Sequence, residues 1–159
     1  MARGGTIAAY GAAIVAFGCA AVSLYWAVGG QGLLSTVGGY AEHAAEHGGG
    51  AAVALGLATA AVKVVGGLLA LALVRPWGRV LPRVWLLIVS AAASAVLVVY
   101  GALIMLAGLL VLSGVYHPSG QVDRTALRWH AGVWDLWFLV WGILLAVATI
   151  SYWRAQPRP

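Results

Sequence analysis

Four stretches of this chain are almost free of polar side chains. They run over about residues 6–28, 51–74, 84–113 and 129–153. Each meets the ~20 residues an α-helix needs to cross the hydrocarbon of a bilayer. None shows the polar–apolar alternation of a barrel strand, so the pattern predicts helices and no sheet. Only Lys63 interrupts the second run, and only His130 and Asp135 bring ionisable groups into the fourth. Short connections between the runs predict antiparallel neighbours. The expected architecture is all-α: one integral-membrane domain over residues 1–159, an up-down four-helix bundle.

Composition supports lipid as the solvent. Hydrophobic residues make up 63% of the 159 and charged residues only 8%, where a soluble domain carries roughly a quarter. The net charge of +5 forms no basic face for nucleic acid. Arg3, Arg75, Arg79, Arg83, Arg154 and Arg158 all flank one end of the runs. Arg124 and Arg128 sit at the other end with Glu42, Glu46 and Asp123. The positive-inside rule then predicts both termini in the cytoplasm and the protein in the inner membrane as a multi-pass chain. Cys19 is the sole cysteine, so no internal disulfide can form.

Small residues recur at helical spacing. Ala8, Ala12, Ala16 and Ala20 share one face of the first run, while Ser90 and Ser94, with Ala91 and Ala95 beside them, recur in the third. Such stripes let helices approach closely, within the chain or between copies. The expected partners are the lipid bilayer, further copies of the chain or a partner membrane subunit.

The polar residues inside the runs are candidates for function, because ionisable groups are costly in a membrane. Lys63 lies ~18 Å and Asp135 ~10 Å from the outer surface by helical rise. A lysine stem spans much of that difference, so two readings stand: a Lys63–Asp135 pair inside the bundle, or a lone Lys63 amine, neutral or snorkelling, with Asp135 pointing at outer water. "RWHAGVWDLWFLVWG" opens the fourth run. At helical spacing His130, Trp134, Trp137 and Trp141 fall on one face, with Asp135 about 140° from His130. With Ser23, Tyr25 and Trp26 at the same depth, they are candidates for an aromatic-walled pocket opening to the outer face. It would take an amphipathic or cationic molecule. The plainer reading is that the indoles fill the bundle or face lipid.

"YAEHAAEHGGG", Tyr40–Gly50, writes Ala-Glu-His twice. His43 and His47 at i, i+4, with Glu46 or His130, could grip a divalent metal. Haem would need two facing histidines. Against both stand a pH-responsive loop, since histidine titrates near neutrality, and a plain solvated outer loop, which the pattern favours; no cofactor is required by it.

"SLYWAVGGQGLLSTVGG", Ser23–Gly39, and "WHAGVWDLWFLVWG" in the fourth run resemble parts of a family of small bacterial four-helix membrane proteins. That family is known as domain of unknown function 3995. The resemblance implies a four-span inner-membrane protein and supplies no activity, substrate or catalytic residue. The expected function is therefore a non-enzymatic membrane protein with an outward pocket for a small molecule or lipid. The alternatives are an intramembrane enzyme or small transporter using Lys63, Asp135 and His130, and an extracytoplasmic metal binder.

Overall fold

The computed structural model describes residues 2–38, 49–119 and 122–155. Within them lie four helices long and apolar enough to cross a membrane. These are α1 (Arg3–Ala27), α2 (Gly50–Ala72), α3 (Arg83–Leu112) and α4 (Arg124–Arg154). A 3₁₀ turn (Pro76–Val80) joins α2 to α3, and another (Leu34–Thr36) follows α1. No strand occurs among the described residues.

The first three helices start within a few residues of the apolar runs. α4 starts at Arg124 rather than Trp129, because Asp123 caps it. The Asp123 Oδ1 accepts from the backbone N–H of Thr125 at 2.8 Å and of Ala126 at 3.1 Å. This satisfies two donors that a helix start leaves orphaned.

α1 is an inner helix because its side chains are small. Ala8, Ala12, Ala16 and Ala20 are buried as their spacing predicts, and so are Ala9 and Ala13 on the adjoining row. With both rows covered, α1 packs on α2 and on α4 at once. α4 in turn packs on α3, and there the backbones nearly touch. A Cβ on Gly101 would lie 2.7 Å from the Leu139 nitrogen, and one on Gly142 would lie 2.8 Å from the Val98 nitrogen. Ser90 and Ser94 are buried, whereas Ala91 and Ala95 beside them are exposed.

The neighbour order is thus α2–α1–α4–α3. The expected contact between α2 and α3 is sparse despite their short connection. Tight packing is provided by the alanine rows of α1 and the glycines of the α3–α4 contact. The 76–80 turn supplies no equivalent surface. α2 and α3 therefore flank a pair of inner helices and leave an opening between themselves.

Arginines gather at one end. The Arg83 guanidinium donates to the carbonyls of Tyr152, Trp153 and Ala155 at 3.1–3.3 Å and lies over the Tyr152 ring. It closes the C-terminus of α4, where orphan carbonyls and the negative dipole end favour a cation. Arg75 lies over the Tyr10 ring. Trp77, Trp85 and Trp153 are exposed at this end. The opposite end carries the described histidines and is called the histidine end below.

Candidate functional site

A crevice of about 760 Å³ opens between α2 and α3, towards the histidine end. α1 supplies Cys19, Ser23 and Trp26, α2 supplies residues from Ala52 to Lys63, and α4 supplies His130, Trp134 and Phe138. From α3 only Tyr100 reaches it, as the sparse α2–α3 contact requires. Its walls are mostly apolar, and among the described residues Lys63 and His130 are its ionisable groups apart from the thiol of Cys19 and the phenol of Tyr100.

Lys63 does not reach Asp135. Its Nζ donates to the Ser23 Oγ at 2.6 Å and stands 5.6 Å from the Phe138 ring centre. Helical rise fixes the depth of a residue but not the direction of its side chain. α2 packs on α1, so the lysine stem runs along the α1 face and meets a hydroxyl there. Among the described residues Lys63 has no carboxylate partner.

Asp135 is paired instead with His130, Nδ1 to Oδ1 at 3.3 Å. An ideal α-helix would set these residues about 140° apart. The structure inserts a π-helical stretch, His130–Trp134, whose wider turn brings residues five apart onto one face. Asp135 is 1% exposed, and its Oδ2 has no hydrogen-bond partner among the described residues. Its main-chain oxygen faces Gly101 on α3.

The other nitrogen of His130, Nε2, lies 2.8 Å from the Val37 carbonyl oxygen. A carbonyl only accepts, so Nε2 carries hydrogen. The Nδ1···Oδ1 contact then also needs a hydrogen between the two atoms. Imidazolium with carboxylate, and imidazole with carboxylic acid, both meet that need with the same proton count. The pair is a net-neutral unit, which suits its burial. It ties the segment after α1 to α4, and the Trp134 indole N–H repeats the tie by donating to the Thr36 Oγ1 at 3.2 Å.

The expected aromatic stripe splits. Trp134 lines the crevice with His130 and Phe138, at four-residue steps, and Trp26 faces it edge-on at 5.4 Å. Trp137 turns towards α1 and donates to the Val15 carbonyl at 3.1 Å. Trp141 is 4% exposed and packs in the core against Gly66 of α2. Tyr25 leaves the crevice too; its hydroxyl accepts from the Gly32 N–H at 3.1 Å, while the Trp26 indole donates to the Gly32 carbonyl at 2.8 Å. Of the residues anticipated for a pocket, the crevice gathers Ser23, Trp26, Lys63, His130 and Trp134. Asp135 is held behind His130. Phe138 and Tyr100 escaped the sequence reading. The four-step spacing 130–134–138 could have revealed Phe138; Tyr100 depends on how α3 lies on α4.

His43, His47 and Glu46, named for a metal, lie outside the described residues. Among the described residues no three histidine, cysteine or carboxylate groups come together to hold an ion. Both nitrogens of His130, the fourth residue named, are engaged by Val37 and Asp135. His117 is exposed at the same end.

Comparison with known proteins gives a family and nothing finer. Neither the curated proteins nor the solved structures yield a match. Residues 16–145 match the family model described as "Protein of unknown function (DUF3995)", and the chain belongs to that family.

Proposed function

We propose that this is a multi-pass protein of the cytoplasmic membrane, with both termini inside, that binds an apolar or amphipathic molecule in its crevice without transforming it. The observation carrying this reading is the crevice itself. Its volume lies within the range usual for small-molecule sites. Its walls are apolar with a few convergent polar groups, and its open side lies between the two helices with the largest exposed apolar faces. A ligand could therefore enter sideways from lipid. The arginine end supports the orientation through the positive-inside rule, and its exposed Trp77, Trp85 and Trp153 suit a headgroup layer.

Binding is preferred to catalysis for a chemical reason. Asp135 stands behind His130, so the anticipated trio of acid–base groups does not converge on one space. Ser23 touches a lysine, as a nucleophile beside a base would. It lies inside α1, however, where backbone N–H groups are spent on the helix and none is left to steady an oxyanion.

The test uses the purified protein in nanodiscs and a hydrophobic fluorescent probe that quenches the tryptophans. Saturable quenching is expected, and Thr59→Trp, which fills the crevice from an exposed wall position, should abolish it. Saturable binding that survives Thr59→Trp would sink the proposal.

A further inference from the structure

We infer that the crevice selects an amphiphile with an anionic head, a carboxylate or a phosphate monoester, received by Lys63. The inference rests on the crevice reading above and names the ligand class.

Among the described residues Lys63 is the only lysine or arginine lining the crevice, and no aspartate or glutamate lines it. His130 contributes no free charge, since its pair with Asp135 is neutral as a unit. The space is therefore apolar with one cation on its wall. An ammonium has three hydrogens to donate. One goes to the Ser23 hydroxyl, and the π-face of Phe138 attracts the charge from another side. Neither supplies a counter-charge, so donor capacity remains beside the cavity. A cationic ligand, which the indoles alone would have suited, is repelled here. A neutral ligand leaves the charge unmatched in a medium where ions are costly. An anionic oxygen answers both the charge and the remaining donors, and charge-assisted bonds are the strong ones.

Position adds a second argument. Lys63 is thirteen residues into α2 from Gly50 (63 − 50 = 13), and the lining of α2 runs from Ala52 to Lys63. The cation thus stands at the deep end of the α2 wall. Tyr100 and Phe138 lie near that depth, while Trp26, Leu34 and Val37 line the part nearer the histidine end. The head would go deepest and the alkyl tail would lie along the apolar wall towards the opening between α2 and α3.

The experiment compares amphiphiles of equal chain length in nanodiscs: a fatty acid, a lysophosphatidic acid, the fatty alcohol and the alkylamine. Binding is read from displacement of the tryptophan-quenching probe. At least one acid should bind about tenfold or more tightly than the alcohol, the gain expected from one charge-assisted hydrogen bond. The amine should bind weakest. Preference for the carboxylate or for the phosphate identifies the source of the head, and either supports the inference. Lys63→Met should erase the preference for acid, and Lys63→Arg should keep it. Alcohol and acid binding equally, or acid preference surviving in Lys63→Met, would overturn the inference while leaving the crevice reading intact. No saturable binding of any amphiphile would overturn both. Removing a charge from a membrane helix eases insertion, so Lys63→Met is expected to fold; its near-ultraviolet circular dichroism is checked against wild type.

Discussion

The His130–Asp135 pair makes a sharp prediction about two substitutions at one contact. In His130→Ala the Asp135 carboxyl, 1% exposed, loses its single side-chain partner among the described residues. Oδ2 is already without one among the described residues. Stranding one member of a buried pair costs roughly 3–5 kcal/mol. The substitution also cuts the link to Val37, about 1 kcal/mol more for an ordinary hydrogen bond. Asp135→Asn behaves differently. The side-chain amide can donate to Nδ1 while Nε2 keeps its bond to Val37, so the neutral arrangement survives. Its cost should be about 1 kcal/mol or less. The assay is reversible unfolding in mixed micelles, followed by circular dichroism for wild type, both single variants and the double variant. His130→Ala should be the more destabilised by at least ~2 kcal/mol, about thirtyfold in the unfolding constant. Adding Asp135→Leu to His130→Ala should recover part of the loss, because the stranded group is gone. Equal costs for the two single variants, or a double variant no more stable than His130→Ala, would refute the argument.

The remaining predictions follow from packing and position. Gly142→Leu should disrupt the α3–α4 contact by 1–3 kcal/mol or more, the usual cost of overpacking, seen as a lowered melting temperature and loss of an engineered α3–α4 cross-link. Arg83→Gln should speed amide exchange at residues 152–155 by weakening the C-terminal cap, for about 0.5–1 kcal/mol. Trp137→Phe removes the indole bond to Val15 and should cost about 1 kcal/mol, with helix content unchanged. In a Cys19→Ala background, cysteines placed at Arg79 and at His117 should label from opposite sides of sealed vesicles; labelling from one side would refute the proposed orientation.

The helices were readable because lipid-compatible composition and helical length act locally. Arg75, Arg83 and Arg154 lie together at one end of the helices, as their places beside the apolar runs predicted. The arrangement of helices was less readable. A short turn implied that α2 and α3 would pack together, but contact follows surface shape, and the tight surfaces belong to the alanines of α1 and to Gly101 and Gly142. The site failed at two points for related reasons. Lys63 was matched by depth alone, while rotation about α2 aims it at Ser23. His130 and Asp135 were set apart by the 3.6-residue period, which the π-helical stretch breaks.

The indoles of Trp129, Trp134 and Trp137 are stacked with centroids 6.4 and 6.2 Å apart, and Trp26 meets Trp134 edge-on. Transition dipoles so close must couple, so this end of the molecule should give an exciton signature in its near-ultraviolet spectrum. Because Trp26 and Trp134 also face the crevice, whatever enters shifts two members of a coupled chromophore. The protein carries its own optical gauge of occupancy, usable without a label in a detergent or lipid that absorbs little at those wavelengths.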